Sequence, residues 1–143
     1  MPYVLQERRP DLDPVVEEMV ALELTPSAIE GFLMCIAAES GRDCGFVLTD
    51  EFRSLLEVMG VAGNIKPNGD LNYILFKYGK CHIKPSYNNY KTYIGAIHKA
   101  MHKLKHIGGL DDFVDEYREA AAEIRRRILG PYEDKKEIEN GSI

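Results

Sequence analysis

From Leu110 onward, apolar side chains return mostly every three or four positions: Leu110, Phe113, Val114, Tyr117, Ala121, Ile124 and Ile128. That spacing lines them along one side of an α-helix but scatters them over both faces of a strand. The segment can therefore hide its apolar surface only as a helix packed on other helices. Its ends agree with this. Asp111, Asp112, Asp115 and Glu116 crowd the start, and Arg125, Arg126 and Arg127 crowd the end. Both biases complement the helix dipole. Gly130-Pro131 then predicts a stop or break.

The same reading divides the rest of the chain. Asp13-Pro14 predicts a helix start, with Asp13 as cap and Pro14 at the first helical position, where its missing donor costs nothing. Val15, Val16, Met19, Val20 and Leu22 follow. Thr25-Pro26 repeats the signal ahead of Ile29, Phe32, Leu33 and Ile36, and Gly41 lies beyond. A shorter helix is predicted after Thr49, with Phe52, Leu55, Leu56 and Met59 as its apolar face and Gly60 at its end. Gly60 to Gly69 reads as a loop. A further helix starts near Asp70, carries Leu71, Ile74, Leu75 and Tyr78, and stops before Pro85. Another runs from about Tyr87 to Ile107, closed by Gly108-Gly109. No stretch alternates with a strand period; Gly45-Phe46-Val47-Leu48 is too short to make a sheet.

The expectation is an all-α fold: one compact bundle of about five to six helices over residues 1–143, with 131–143 as a polar tail, irregular or frayed. A chain of 143 residues fits one domain, and its 45% hydrophobic content supports a core without staples. Cys35, Cys44 and Cys81 are odd in number and show no C-x-x-C spacing, which suits small hydrophobes in a reducing compartment. The start has no apolar core of a signal peptide, and the apolar stretch Gly31 to Ala38 is too short to span a bilayer. A cytoplasmic location is expected, with no membrane partner. The net charge of −5 disfavours generic binding to polyanions but leaves room for a local basic patch.

One such patch lies on the 87–107 helix. At roughly 100° per residue, Tyr90, Tyr93, Ile94, Ile97, Met101 and Leu104 share an apolar sector. Lys91, His98, Lys99, His102, Lys103, Lys105 and His106 fall on the other side. Lys91, His98, Lys99, His102 and Lys103 are the candidate contacts for nucleic acid or another anion; without aromatic residues among them, base stacking is not expected. His98, His102 and His106 stand one turn apart, but the series drifts around the axis and the flanking lysines repel a cation. Asp112, Glu116, Glu119 and Glu123 form an acidic stripe read as solvent-exposed. Glu116 and Glu119 have the E-x-x-E spacing that suits Mg²⁺, but no second pair follows on a predicted helix. Cys81 and His82, adjacent in sequence, diverge on a helix and make no nucleophile–base pair. No catalytic residue, metal ligand or cofactor is assigned.

Three stretches carry a resemblance: Pro2-Tyr3 with Glu7-Arg8-Arg9, Gly69-Asp70-Leu71-Asn72-Tyr73, and Pro131-Tyr132-Glu133-Asp134-Lys135-Lys136 with Glu139-Asn140-Gly141. Together they resemble a family of small uncharacterised prokaryotic and phage proteins with no assigned activity. Ser142 and Ile143 stand where that family usually carries an acidic residue and an aromatic, and residues 23–66 look like added helical material. The resemblance directs attention to a polar cluster of Asn72, Tyr73, Tyr132, Glu133, Asp134 and Lys135, expected as a tail clamp or a small polar site. The function expected is a non-catalytic protein-interaction or self-association module. An anion or nucleic-acid binder is the alternative, and a metal-dependent hydrolase the minor one.

Overall fold

The computed structural model describes residues 9–22, 26–39 and 69–140. The helix predicted after Thr49, the loop ahead of Gly69, the run Gly45 to Leu48, and both outer motif ends (residues 2–8 and 141–143) lie outside the described residues. Those described are helical almost throughout: α1 (Arg9–Ala21), α2 (Pro26–Glu39), α3 (Gly69–His82), α4 (Tyr87–Ile107), α5 (Asp111–Ile124), a π-helical turn (Arg125–Leu129) and α6 (Gly130–Asn140). The bundle is all-α.

Local chemistry explains most boundaries. α2 begins on Pro26 as the N1 preference requires. Ser86 caps α4, its hydroxyl oxygen accepting from the Asn89 N–H at 3.0 Å. Gly108 and Gly109 take φ of +85° and +77°, a region costly for other residues, and the Gly108 N–H closes α4 on the Leu104 carbonyl.

Two boundaries differ from the sequence reading. Asp13 does not cap α1: the helix already includes Arg9, and Pro14 lies inside it. Nor does Gly130-Pro131 end the long C-terminal helix. Proline clashes with the carbonyl four residues back and lacks the donor to bond it. The chain meets this with a π turn immediately before, in which the Gly130 N–H reaches five residues back to Arg125. The helix then resumes, so the expected irregular polar tail is helical through Asn140.

α4 is the centre of the bundle. α2 and α5 pack on it, α5 also packs on α3, and α3 carries α1. The three-residue turn between α4 and α5 makes them an antiparallel hairpin. A single hydrophobic cluster runs through α1 to α5 and the π turn, with Tyr93, Tyr117, Phe32 and Phe113 among its largest fully buried side chains. The two buried tyrosines also tie helices together. The Tyr93 hydroxyl donates to the Leu75 carbonyl at 2.7 Å, and that of Tyr117 to the Leu33 carbonyl at 2.8 Å. Gly79 lets α3 approach, since a Cβ there would stand 3.0 Å from the Tyr93 ring.

Candidate functional site

Asn72 sits at the edge of the apolar face of α3, against α5. It is 7% exposed, and Glu116 opposite is 5% exposed. The Asn72 backbone N–H, in the first turn of α3, donates to the Glu116 carboxylate. Burial pushes the Glu116 carboxyl up to about 7; the charges of Glu119 and Asp70 add to the rise, and the Asn72 N–H opposes it. The Glu116 Oε1 and Asn72 Nδ2 atoms have no hydrogen-bond partner among the described residues. Buried polar atoms in that state are uncommon. The pair forms a carboxyl able to exchange its proton near neutral pH beside an amide donor.

The acidic stripe of α5 is thus not the solvent-exposed one expected. Glu116 and Glu123 are both buried, Asp112 is half-buried, and Glu119 is exposed. α5 packs on both α3 and α4, so positions at the edge of its apolar face are covered. Glu123 is neutralised there by Arg126 at 2.6 Å and Arg127 at 3.1 Å. Among the described residues no three His, Cys, Asp or Glu side chains converge as a metal would require.

Tyr73, next to Asn72, turns the other way. Its hydroxyl donates to Asp13 Oδ1 at 2.6 Å, and the Lys77 ammonium donates to the same oxygen at 2.6 Å. Burial opposes ionisation of Asp13, but these two hydrogen bonds and the charges of Lys77 and Arg9 hold its carboxyl below the usual range. The cluster pins α1 to α3.

The terminal motif lies elsewhere. Tyr132 stacks edge-on against Tyr90 of α4, ring centroids 5.5 Å apart, while Glu133, Asp134 and Lys135 are exposed on α6. Residue 132 follows Glu116 by sixteen positions along the nearly continuous α5–α6 path, roughly 24 Å at 1.5 Å per residue. The six residues of the expected polar cluster therefore fall into three places: Asn72 with Glu116, Tyr73 with Asp13 and Lys77, and Tyr132 with Tyr90. Glu116, Asp13 and Lys77 are the partners that sequence reasoning missed.

On α4, Lys91, Lys99, His102 and Lys103 are exposed and His98 is half-buried. The His98 and His102 rings stand 6.3 Å apart. Burial, then the nearby His102 and Arg125, hold His98 below its ordinary pKa. Lys103 is committed to Glu30 of α2 at 3.1 Å, and the Lys91 ammonium lies 5.8 Å over the Tyr87 ring. Arg125, from the π turn, is the member that the linear pattern of α4 does not contain. No described helix is long and apolar enough to cross a membrane.

Comparison with curated proteins and with solved structures found no match. A family model described as a domain of unknown function matches residues 1–143, the whole chain. The chain therefore belongs to the DUF6899 family.

Proposed function

We propose that this chain is a non-catalytic interaction module that self-associates through α6. The observation that carries the reading is that α6 is fully helical to Asn140 yet buries none of its side chains, with Ile138 82% exposed. Helices this short are marginal without packing, and α6 receives little from its own bundle. At 100° per residue, Pro131, Asp134, Lys135 and Ile138 share one side, centred about 110° around the axis from Tyr132, which rests on the body.

That face is self-complementary. In an antiparallel pairing about the midpoint of Asp134 and Lys135, each Asp134 meets the Lys135 of the second copy, and each Ile138 meets the second Pro131. A two-fold axis requires this kind of matching. One short helix buries little area, so a weak, concentration-dependent dimer is expected. The exposed free thiol of Cys81 suits the reducing cytoplasm of a prokaryotic or phage-infected cell, which is where the reading places the protein.

Sedimentation velocity over a range of concentrations tests the proposal. The wild-type chain is expected to show a rising dimer fraction, and Ile138→Glu to stay monomeric. Asp134→Lys alone is expected to abolish the dimer, and adding Lys135→Asp to restore it. A wild-type monomer at every concentration, or a charge reversal without effect, overturns the reading.

A further inference from the structure

We infer that the outer face of α4, together with Arg125 of the π turn, is a phosphate-binding strip, with Gly95 leaving room for the ligand to approach the helix backbone. The case rests on placement. Counted from Lys91 at about 100° per residue, Gly95, His98, His102 and Lys105 fall within about 40° of it on either side. From Lys91 to Lys105 the strip spans roughly 21 Å along the axis. The π turn that carries Arg125 packs on α4, and the Arg125 charge bears on His98.

Gly95 is the second, independent observation. It lies in the middle of a long helix, where glycine is about 1 kcal/mol less favourable than alanine. Gly79 has a packing reason for being glycine, because a Cβ there meets the Tyr93 ring. Gly95 has none, since a Cβ at that position would meet nothing within 4 Å. Its backbone is open at the centre of the basic strip, flanked one turn away by Lys91 and His98.

The cations of the strip are also largely uncommitted. Arg126 and Arg127 are spent on Glu123, and Lys103 on Glu30. Arg125 and Lys105 have no acidic partner among the described residues, and Lys91 lies over the Tyr87 ring. Around His98 stand His102, Lys91 and Lys105 on its own helix and Arg125 on the π turn; the acid that α2 offers to α4, Glu30, is engaged by Lys103. Positive groups pressed together in an acidic protein focus a local field that a multiply charged oxyanion relieves. Burial keeps the His98 imidazole neutral near pH 7, where it offers an N–H donor, and it gains a charge as the pH falls, so affinity rises below neutrality. A single phosphate would engage the His98–Arg125 end, whereas a polyphosphate or nucleic-acid backbone would follow the whole strip. Without interleaved aromatics, a nucleic acid would be held by its backbone and not by its bases.

The test follows the histidine ring signals of the full chain by NMR at low salt. Inorganic phosphate, tripolyphosphate and a single-stranded twelve-nucleotide DNA are titrated separately. The His98 and His102 signals are expected to shift, with the His98 titration midpoint moving upward. Binding by phosphate and tripolyphosphate alone identifies a small-molecule source; a tighter oligonucleotide, with a log–log salt slope of about 2, identifies a strand. Arg125→Gln is expected to weaken binding five- to ten-fold. Gly95→Leu should block it without altering charge, with circular dichroism confirming the fold, and Lys80→Gln, at an exposed position of α3, should change nothing. Immobile His98 and His102 signals with all three ligands, or wild-type binding by both Arg125→Gln and Gly95→Leu, overturns the inference.

Discussion

Glu116 is held among Asp70, Glu119 and the first turn of α3, where ionising it costs most. An unfolded glutamate titrates near 4.5 and this one at about 7, so across that interval the native state binds more protons than the unfolded chain. Stability is fully present below about pH 4.5 and falls as the pH rises through 7. The loss between pH 5 and pH 8 is expected to be on the order of 2 kcal/mol. Glu116→Gln keeps the shape without the charge. Urea denaturation of this variant should show higher stability than wild type at pH 8, by about that amount, and near equality at pH 5. Parallel curves for the two proteins would mean that Glu116 is not the titrating group. Its burial was only half legible in the sequence. Glu116 lies three positions after Phe113 and four before Ala120, at the edge of the apolar stripe. Such a position is exposed on a helix with one neighbour and covered where a second helix, here α3, packs over that edge.

At the scale of elements, two glycines in neighbouring helices make opposite predictions. Gly79→Ala would press its methyl group into the Tyr93 ring, held in place by its bond to Leu75. Overpacking of this kind typically costs about 1–3 kcal/mol. Gly95→Ala meets open space in a regular helix and should stabilise the protein by about 0.5–1 kcal/mol. Thermal melts followed by circular dichroism separate the two; a shared sign would contradict the packing described. Gly130→Ala belongs with Gly95. Gly130 has ordinary helical angles, and a Cβ there would stand 3.4 Å from the Arg125 carbonyl oxygen. A gain of up to about 1 kcal/mol is expected if the π turn tolerates that contact, and the melting temperature reads it directly. The sequence showed both termini of α4 because Ser86 and Gly108-Gly109 act locally. It misjudged Asp13-Pro14 and Gly130-Pro131, where a proline is accommodated inside a helical path.

The whole molecule is joined by a few long-range polar ties laid over one apolar cluster. Tyr117 links α5 to α2, and Asp13 links α1 to both Tyr73 and Lys77. Tyr117→Phe keeps the ring packing and removes the hydroxyl donor to Leu33. A loss of about 1 kcal/mol in chemical denaturation is expected, with an unchanged m-value. If α6 mediates a dimer, assembly also enters the stability of the whole. The melting temperature of wild type should then rise with protein concentration, and that of Ile138→Glu should not.

What the sequence alone determined is the class of structure and most of its inward-facing side chains. A stripe repeating every three to four residues has one regular conformation that can bury it, and that fact is local. The tertiary structure decided which edge residues are buried and which charges find each other. Glu116 beside Asn72, Asp13 bonded to Tyr73, and Lys103 paired with Glu30 each join residues from separate elements. Such contacts depend on how helices are laid side by side, which no window of neighbouring residues encodes.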